Sequence, residues 1–470
     1  MVDLELSYTP ATELLRKMQN REVSPVEIVR NALDRIEDVN PTLNCFCFTY
    51  PEEAMEKAHA AERALASGAK VGPLHGIPIA IKDLTPTRGK RTTLGSRLYE
   101  NWVPDHDAVI VERLLDAGAI MVGKTTTPEF AAFSFTASPL WGVTRNPWNL
   151  DYSPGGSSGG ASAAVASGCV PMAEGCDMGG SVRIPAAFCG IVGLKPSFGR
   201  IPFEILPSHF DPLSHFGPLS RTVEDAALFL GVTQGPDDRD LQSLSPALEP
   251  PLLRSKDVRG LKLALSPDYG YYDVDPDILR NLYDMADVLR SLGAEVEEVD
   301  VGLTAEVNRA YYKHWTVYIA TFFGHHLKED RDRLDPLVVR QLEEGLAHNA
   351  VDFKQAEIVW TRMWQAFAPI FQKYDALLCP TTAVPGLAHG ETDFDFGHML
   401  PNGRFRGLHL TEHFNMLGQC PALSVPSGYT KQGLPTGMQI VGRRYDDVGV
   451  LRIGAALEQA RRWTDDRPPL

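Results

Sequence analysis

Between residues 76 and 265 the chain keeps switching its hydrophobic period, and this constrains the fold more than any other feature. "GIPIAIKD" (76–83) is a β-branched run bounded by glycine and charge, which reads as a strand. Residues 106–117 carry apolar side chains at helical spacing and stop at Gly118, and "AIMVG" (119–123) then reads as a buried strand. The alternation continues to "LKLALS" near residue 265 and specifies an α/β architecture.

The flanks complete that frame. Ser24-Pro25-Val26-Glu27 is a capping box with proline at the first helical position, followed by apolar Ile28, Val29, Ala32, Leu33 and Ile36. Residues 51–66 form a second helix ending at Gly68, so residues 1–70 read as N-terminal helices before a core over 71–265. From 304 to 373 the chain is helical and aromatic, with Tyr311, Trp315, Tyr318 and Phe322 on one helix face. Core packing and a pocket wall both fit that stripe. "DALLCPTT", "ALSVPSG" and "MQIVGRR" return to strand texture, and a last helix covers 447–462. No repeat, low-complexity segment or clean linker divides the 470 residues, so one large domain is expected.

Composition removes whole classes of function. The net charge is −15 and no Lys/Arg run occurs, which argues against nucleic acid or an anionic membrane as partner. No apolar stretch approaches the roughly 18 residues of a spanning helix. The first residues, "MVDLELSYTPATELL", lack the basic start and apolar core of a secretory signal. Seven cysteines include no C-x-x-C pair, so neither a zinc site nor a disulfide framework is indicated. A cytoplasmic location is expected.

Three glycine-bearing strings compete for the chemistry. "GAIMVGKT" (118–125) satisfies the P-loop pattern, but its spacer is an apolar β run rather than a curled phosphate cradle. "PGGSSGGASAAVA" (154–166) spells a nucleophile elbow around Ser157, yet turn formers and Pro154 stand where a buried strand is required. "GCDMGGSVRIPAAFCGIVGLKPS" (175–197) sets Ser181 after two glycines, whose backbone amides can converge as an oxyanion site requires. Two Gly/Ser loops 24 residues apart, and Lys82 ending a strand 75 residues before Ser157, distinguish this pattern from a plain turn.

Those three segments resemble the amidase signature family, as do "GPLSRTVEDAALFL" (217–230), "DALLCPTT" (375–382), "PALSVPSG" (421–428) and "GLPTGMQIVGRR" (433–444), in family order. The likeness spans nearly the whole chain. It implies a single α/β/α domain with a large mixed twisted β-sheet surrounded by helices. It also implies a catalytic Ser–cis-Ser–Lys triad of Ser181 as nucleophile, Ser157 as bridging serine and Lys82 as base. The backbone amides of Met178, Gly179, Gly180 and Ser181 match the oxyanion hole, with Ser158, Asp177 and Arg183 in support. A serine hydroxyl needs a positioned base, and a lysine accepts a proton only when neutral, which an apolar strand favours.

The implied reaction is hydrolysis of small linear amides, anilides or carbamates through a seryl acyl-enzyme, with no metal or organic cofactor. Tyr311, Trp315 and Phe210 are candidate substrate-pocket residues, the last from the loop "PFEILPSHFDPLSHF" (202–216). The resemblance is compatible with a homodimer. A second reading is the ammonia-generating glutaminase component of a glutamyl-tRNA(Gln) amidotransferase complex, and a third is a catalytically silent scaffold. Ser214 stands where the amidotransferase components typically carry aspartate, which favours a free-standing hydrolase. Cys176 and Met178 replace commoner family residues without removing a triad group. His75, before the lysine strand, reads as structural.

Overall fold

Along Pro78–Lys82 the side chains alternate between two hydrophobic cores: Ile79 and Ile81 join one, and Ala80 joins the other. Ile120 and Val122 face the second core, while Met121 faces the first. A period of two with both faces buried is the mark of a central strand covered on both sides. The computed structural model describes residues 2–470. Its principal sheet has eleven strands: β1 (Phe46–Thr49), β2 (Pro78–Lys82), β3 (Ile120–Thr125), β4 (Met172–Asp177), β5 (Val192–Lys195), β6 (His215–Ser220), β7 (Lys262–Leu265), β8 (Glu295–Glu298), β9 (Ala376–Pro380), β10 (Ala422–Tyr429) and β11 (Pro435–Gly442).

The spatial order is β1-β3-β2-β4-β6-β5-β10-β11-β9-β7-β8. β2 lies between β3 and β4 and runs parallel to both, with Ile79 opposite Met121 and Met172. Parallel neighbours need a crossover, and the helix Val109–Asp116 supplies it between β2 and β3. The middle of the sheet, β4 to β9, is antiparallel, and β7 runs parallel to β8 and β9. This mixed sheet among helices is the expected fold class.

The capping box forms: the Ser24 hydroxyl accepts the Glu27 N–H at 3.1 Å, and the Glu27 carboxylate accepts the Ser24 N–H at 2.8 Å. It starts the helix Pro25–Leu43. Both edge strands lie outside the stretches read as carrying strands. β1 lies inside the stretch read as helical: Asn44 ends the preceding helix in a left-handed conformation, φ +51°, and "FCFT" then pairs antiparallel with β3. β8 is "EVEE", an acidic edge strand whose charge hides it from a hydrophobicity reading. The P-loop string is strand β3, and its Lys124 is buried with Nζ donating to the Thr85 carbonyl at 2.8 Å. Beyond the sheet, the helices Glu306–Phe323, Pro336–Leu346 and Ala350–Lys373 pack together as an aromatic-rich layer. Among the described residues, no helix is long and apolar enough to cross a membrane.

Candidate active site

Because β2 and β4 are parallel neighbours, their carboxyl ends lie at the same edge of the sheet, where Lys82 ends one and Asp177 the other. The turn carrying Ser157 and Ser158 fits against that edge and opens the small-residue helix Gly159–Ala166. Its glycines are sterically required. A Cβ at Gly156 would collide with the carbonyls of Phe133 and Phe135, and one at Gly160 with the backbone of Thr126. The Gly156–Ser157 peptide is cis.

Lys82 is fully buried. Its Nζ lies 2.7 Å from Ser157 Oγ, 3.0 Å from Ser158 Oγ and 3.1 Å from Cys176 Sγ. Burial pushes the Cys176 thiol up, so all three partners are neutral groups. Glu174 faces the lysine backbone instead, accepting the Lys82 N–H at 2.8 Å and the Thr85 hydroxyl at 3.0 Å. Ser158 is committed elsewhere too. Its Oγ lies 3.3 Å from the Cys176 carbonyl, and its N–H donates to the Ser181 carbonyl at 3.1 Å.

The loop after β4 is held by a buried ion pair. Arg183 donates to Asp177 through Nε at 2.9 Å and Nη2 at 2.8 Å. Its other guanidinium protons go to the Thr411 carbonyl (2.9 Å), Gln439 Oε1 (2.7 Å) and Asn415 Oδ1 (2.7 Å), which satisfies all five donors. Asp177 also accepts the N–H groups of Gly180 at 2.9 Å and Val182 at 3.2 Å. Burial alone would raise the Asp177 carboxyl. The Arg183 charge, with hydrogen bonds from Arg183 and Asn415, instead holds it far below the usual carboxylate range.

This geometry amends the expected oxyanion set. The Gly180 N–H is spent on Asp177, so it is not available to a ligand. Met178, Gly179 and Ser181 line the adjoining cavity. Among the described residues, the N–H groups of Met178, Gly179 and Ser181 have no protein acceptor.

That cavity has a volume of about 630 Å³. Phe133, Tyr272, Tyr311, Trp315, Phe394 and Phe405 give it aromatic walls. The aromatic helix face therefore divides: Tyr311 and Trp315 line the cavity, while Tyr318 and Phe322 pack on each other, ring centroids 4.6 Å apart. Phe210 does not join the cavity and is 77% exposed. The buried residues of its loop, among them Phe203, Leu213, Ser214 and Phe216, pack away from the cavity, with Ser214 hydrogen-bonded to Asp211. His75 is structural, its Nε2 3.0 Å from the Ala61 carbonyl.

Several groups at the site carry no signature in the sequence. His409, Thr411, Glu412 and Asn415 come from one segment just ahead of β10. His409 Nδ1 and Glu412 Oε2 form an ion pair at 2.6 Å on the cavity wall. Burial works against the charge on His409, but the Glu412 carboxylate raises its pKa. Glu412 itself, although burial opposes its charge, is held down at about 2 by His409. Among the described residues, no group of three or more His, Cys, Asp or Glu side chains is placed to hold a metal ion.

The family model described as Amidase matches residues 27–451. An acylamidase from Rhodococcus erythropolis is 36% identical over 483 residues, covering 100% of this chain and 98% of its own. A glutamyl-tRNA(Gln) amidotransferase component from Carboxydothermus hydrogenoformans is 36% identical over 494 residues, covering 99% and 100%. The solved structure of a bacterial aryl acylamidase of the amidase signature family superposes with a TM-score of 0.91 at 32% identity, covering 97% of each chain.

Proposed function

The chain belongs to the amidase family of amide hydrolases, and from that premise we propose that it cleaves small linear amides, anilides or carbamates at Ser181. The observation that carries the mechanism is the 2.7 Å contact between Lys82 Nζ and Ser157 Oγ in a buried site. Ser181 Oγ attacks the acyl carbon while its proton passes to Ser157 Oγ and the Ser157 proton passes to Lys82 Nζ. The carbonyl oxygen becomes an oxyanion facing the free amides of Gly179 and Ser181. Collapse expels the amine, which takes a proton from Ser157 as Lys82 returns one to Ser157. Water then attacks the ester, giving its proton to the same relay, and releases the acid with Ser181 restored. Each oxyanion donor of this kind contributes about 3–4 kcal/mol to the barrier reduction in other serine hydrolases. Positioned proton transfer contributes a further factor of about 100 to 10,000.

A cavity of about 630 Å³ with aromatic walls suits a drug-sized or smaller acyl or amine group. The amidotransferase component is the second reading, favoured by a relative of equal identity. Ser214 counts against it as a departure from that component's pattern, and here Ser214 only bonds Asp211 and Tyr318. A panel of anilides, primary amides, carbamates and glutamine, run on the isolated chain, separates the two. Turnover of an aryl anilide with little glutaminase activity is expected. Glutamine as the sole substrate, or no turnover without partner proteins, would favour the amidotransferase.

A further inference from the structure

Four consecutive carbonyls, Asp177 to Gly180, each accept a hydrogen bond. Asp177 O takes Asn415 Nδ2 at 3.0 Å, Met178 O takes the Tyr311 hydroxyl at 3.3 Å, Gly179 O takes the Thr411 hydroxyl, and Gly180 O takes the Ile184 N–H at 2.7 Å. These peptides are trans. In a planar trans peptide the N–H points opposite to the preceding C=O, so holding each carbonyl aims the next amide. The Gly179 N–H is aimed by whatever holds Met178 O, and the Gly180 N–H is pinned at its other end by Asp177.

The two middle clamps come from distant elements, Tyr311 from the helix Glu306–Phe323 and Thr411 from the segment ahead of β10. The adjacent glycines are matched to them. A Cβ on Gly179 would occupy the place of the Tyr311 hydroxyl, and one on Gly180 the place of the Thr411 hydroxyl. Gly180 also sits at φ +130°, a conformation that side chains disfavour. Burial pushes the Tyr311 phenol well up, so it stays a donor. Thr411 has one proton to give. It goes to Gly179 O, a carbonyl that can only accept, and His409 Nδ1 lies 2.9 Å from the same hydroxyl.

We propose that Tyr311 and Thr411 are positioning residues: the Tyr311 hydroxyl fixes the 178–179 peptide and so aims the Gly179 N–H at the developing oxyanion, while the Thr411 hydroxyl, with Asp177 at the other end, locks the 179–180 peptide that separates the Gly179 and Ser181 amides. This rests on Ser181 being the nucleophile. It assigns Tyr311 a role distinct from the substrate contact its place on the cavity wall suggests. It also couples the substrate-facing helix to the oxyanion loop.

The test uses the full chain with Tyr311→Phe, Thr411→Val and Thr411→Ser, 4-nitroacetanilide as substrate and phenylboronic acid as a probe whose serine adduct places an oxygen at the oxyanion position. Tyr311→Phe and Thr411→Val should each lower kcat about tenfold, with KM within about twofold. Phenylboronic acid inhibition should weaken in step, and Thr411→Ser should keep wild-type kcat. A raised KM at unchanged kcat in Tyr311→Phe would make it a substrate contact and overturn the proposal. Equal losses in Thr411→Ser and Thr411→Val would do the same for Thr411, and this pair carries the test alone if Tyr311→Phe fails to fold. Ser181→Ala is run beside them. Turnover surviving there brings down the nucleophile reading, whereas its loss with unaffected clamp variants brings down only the clamp.

Discussion

Lys82 Nζ touches both Ser157 and Ser158, and only their other partners tell them apart. Ser158 also lies against the Cys176 carbonyl and spends its N–H on Ser181, whereas Ser157 Oγ has Lys82 as its protein partner. Ser157 is therefore the side chain free to relay a proton. Lys82→Ala should lose a factor of about 100 to 10,000 in kcat and Ser157→Ala about 100. Ser158→Ala removes a hydrogen bond without breaking the relay and should cost about tenfold or less. Steady-state kinetics on one anilide gives the order, and a Ser158→Ala loss exceeding that of Ser157→Ala would exchange the two roles. The sequence reveals which residue types meet here, because glycines crowd both serine loops and an apolar strand leads into the lysine. It does not reveal that the Gly180 N–H is consumed by Asp177, since that depends on the path of three residues of backbone.

Elements built by local pattern are legible, and those defined by distant partners are not. The capping box rests on contacts within a few residues, and the strand ending at Lys82 and the strand through the false P-loop announce themselves by a local run of apolar side chains. The segment from His409 to Asn415 has no such signature, because its partners lie far off in the chain, 238 residues away in the Asn415–Asp177 bond. Phe210 falls outside the cavity for a related reason: aromatic content marks a loop as capable of lining a pocket, but a turn decides which side chains face inward. The His409–Glu412 pair makes that segment's contribution depend on pH. The pKa of His409 is raised from 6.5, so its share of the stability is full below that value and is lost as pH rises through the folded value. The pKa of Glu412 is lowered from 4.5 to about 2, so its share is present above 4.5 and lost as pH falls through about 2. Glu412→Gln should therefore lower the thermal midpoint most between pH 4.5 and 6.5, with the gap to wild type narrowing as pH rises through the raised pKa of His409. Melting curves across that range decide it, and a gap that is constant or widest at high pH contradicts the pairing.

At the scale of the whole molecule, the eleven-stranded sheet brings residues 82, 157 and 177–181 to one edge beside the cavity that Met178, Gly179, Ser181 and Tyr311 line, and Thr411 reaches the same loop, although these residues span most of the chain. Alternating periods announce an α/β sheet, but strand order is set by crossovers and pairings that no local period encodes. The edge strands β1 and β8 lie outside the stretches read as alternating, and at an edge short or charged segments pair on one side only. In the proposed mechanism this assembly makes Ser181, not the elbow-like Ser157, the nucleophile. Acid-quenching the enzyme during turnover of 4-nitroacetanilide or 4-nitrophenyl acetate, followed by intact-mass analysis and peptide mapping, tests it most directly. One acetyl group on Ser181 in wild type, absent from Ser181→Ala, is the result expected. An acetyl group on Ser157 or Lys82, or one that persists in Ser181→Ala, would contradict it.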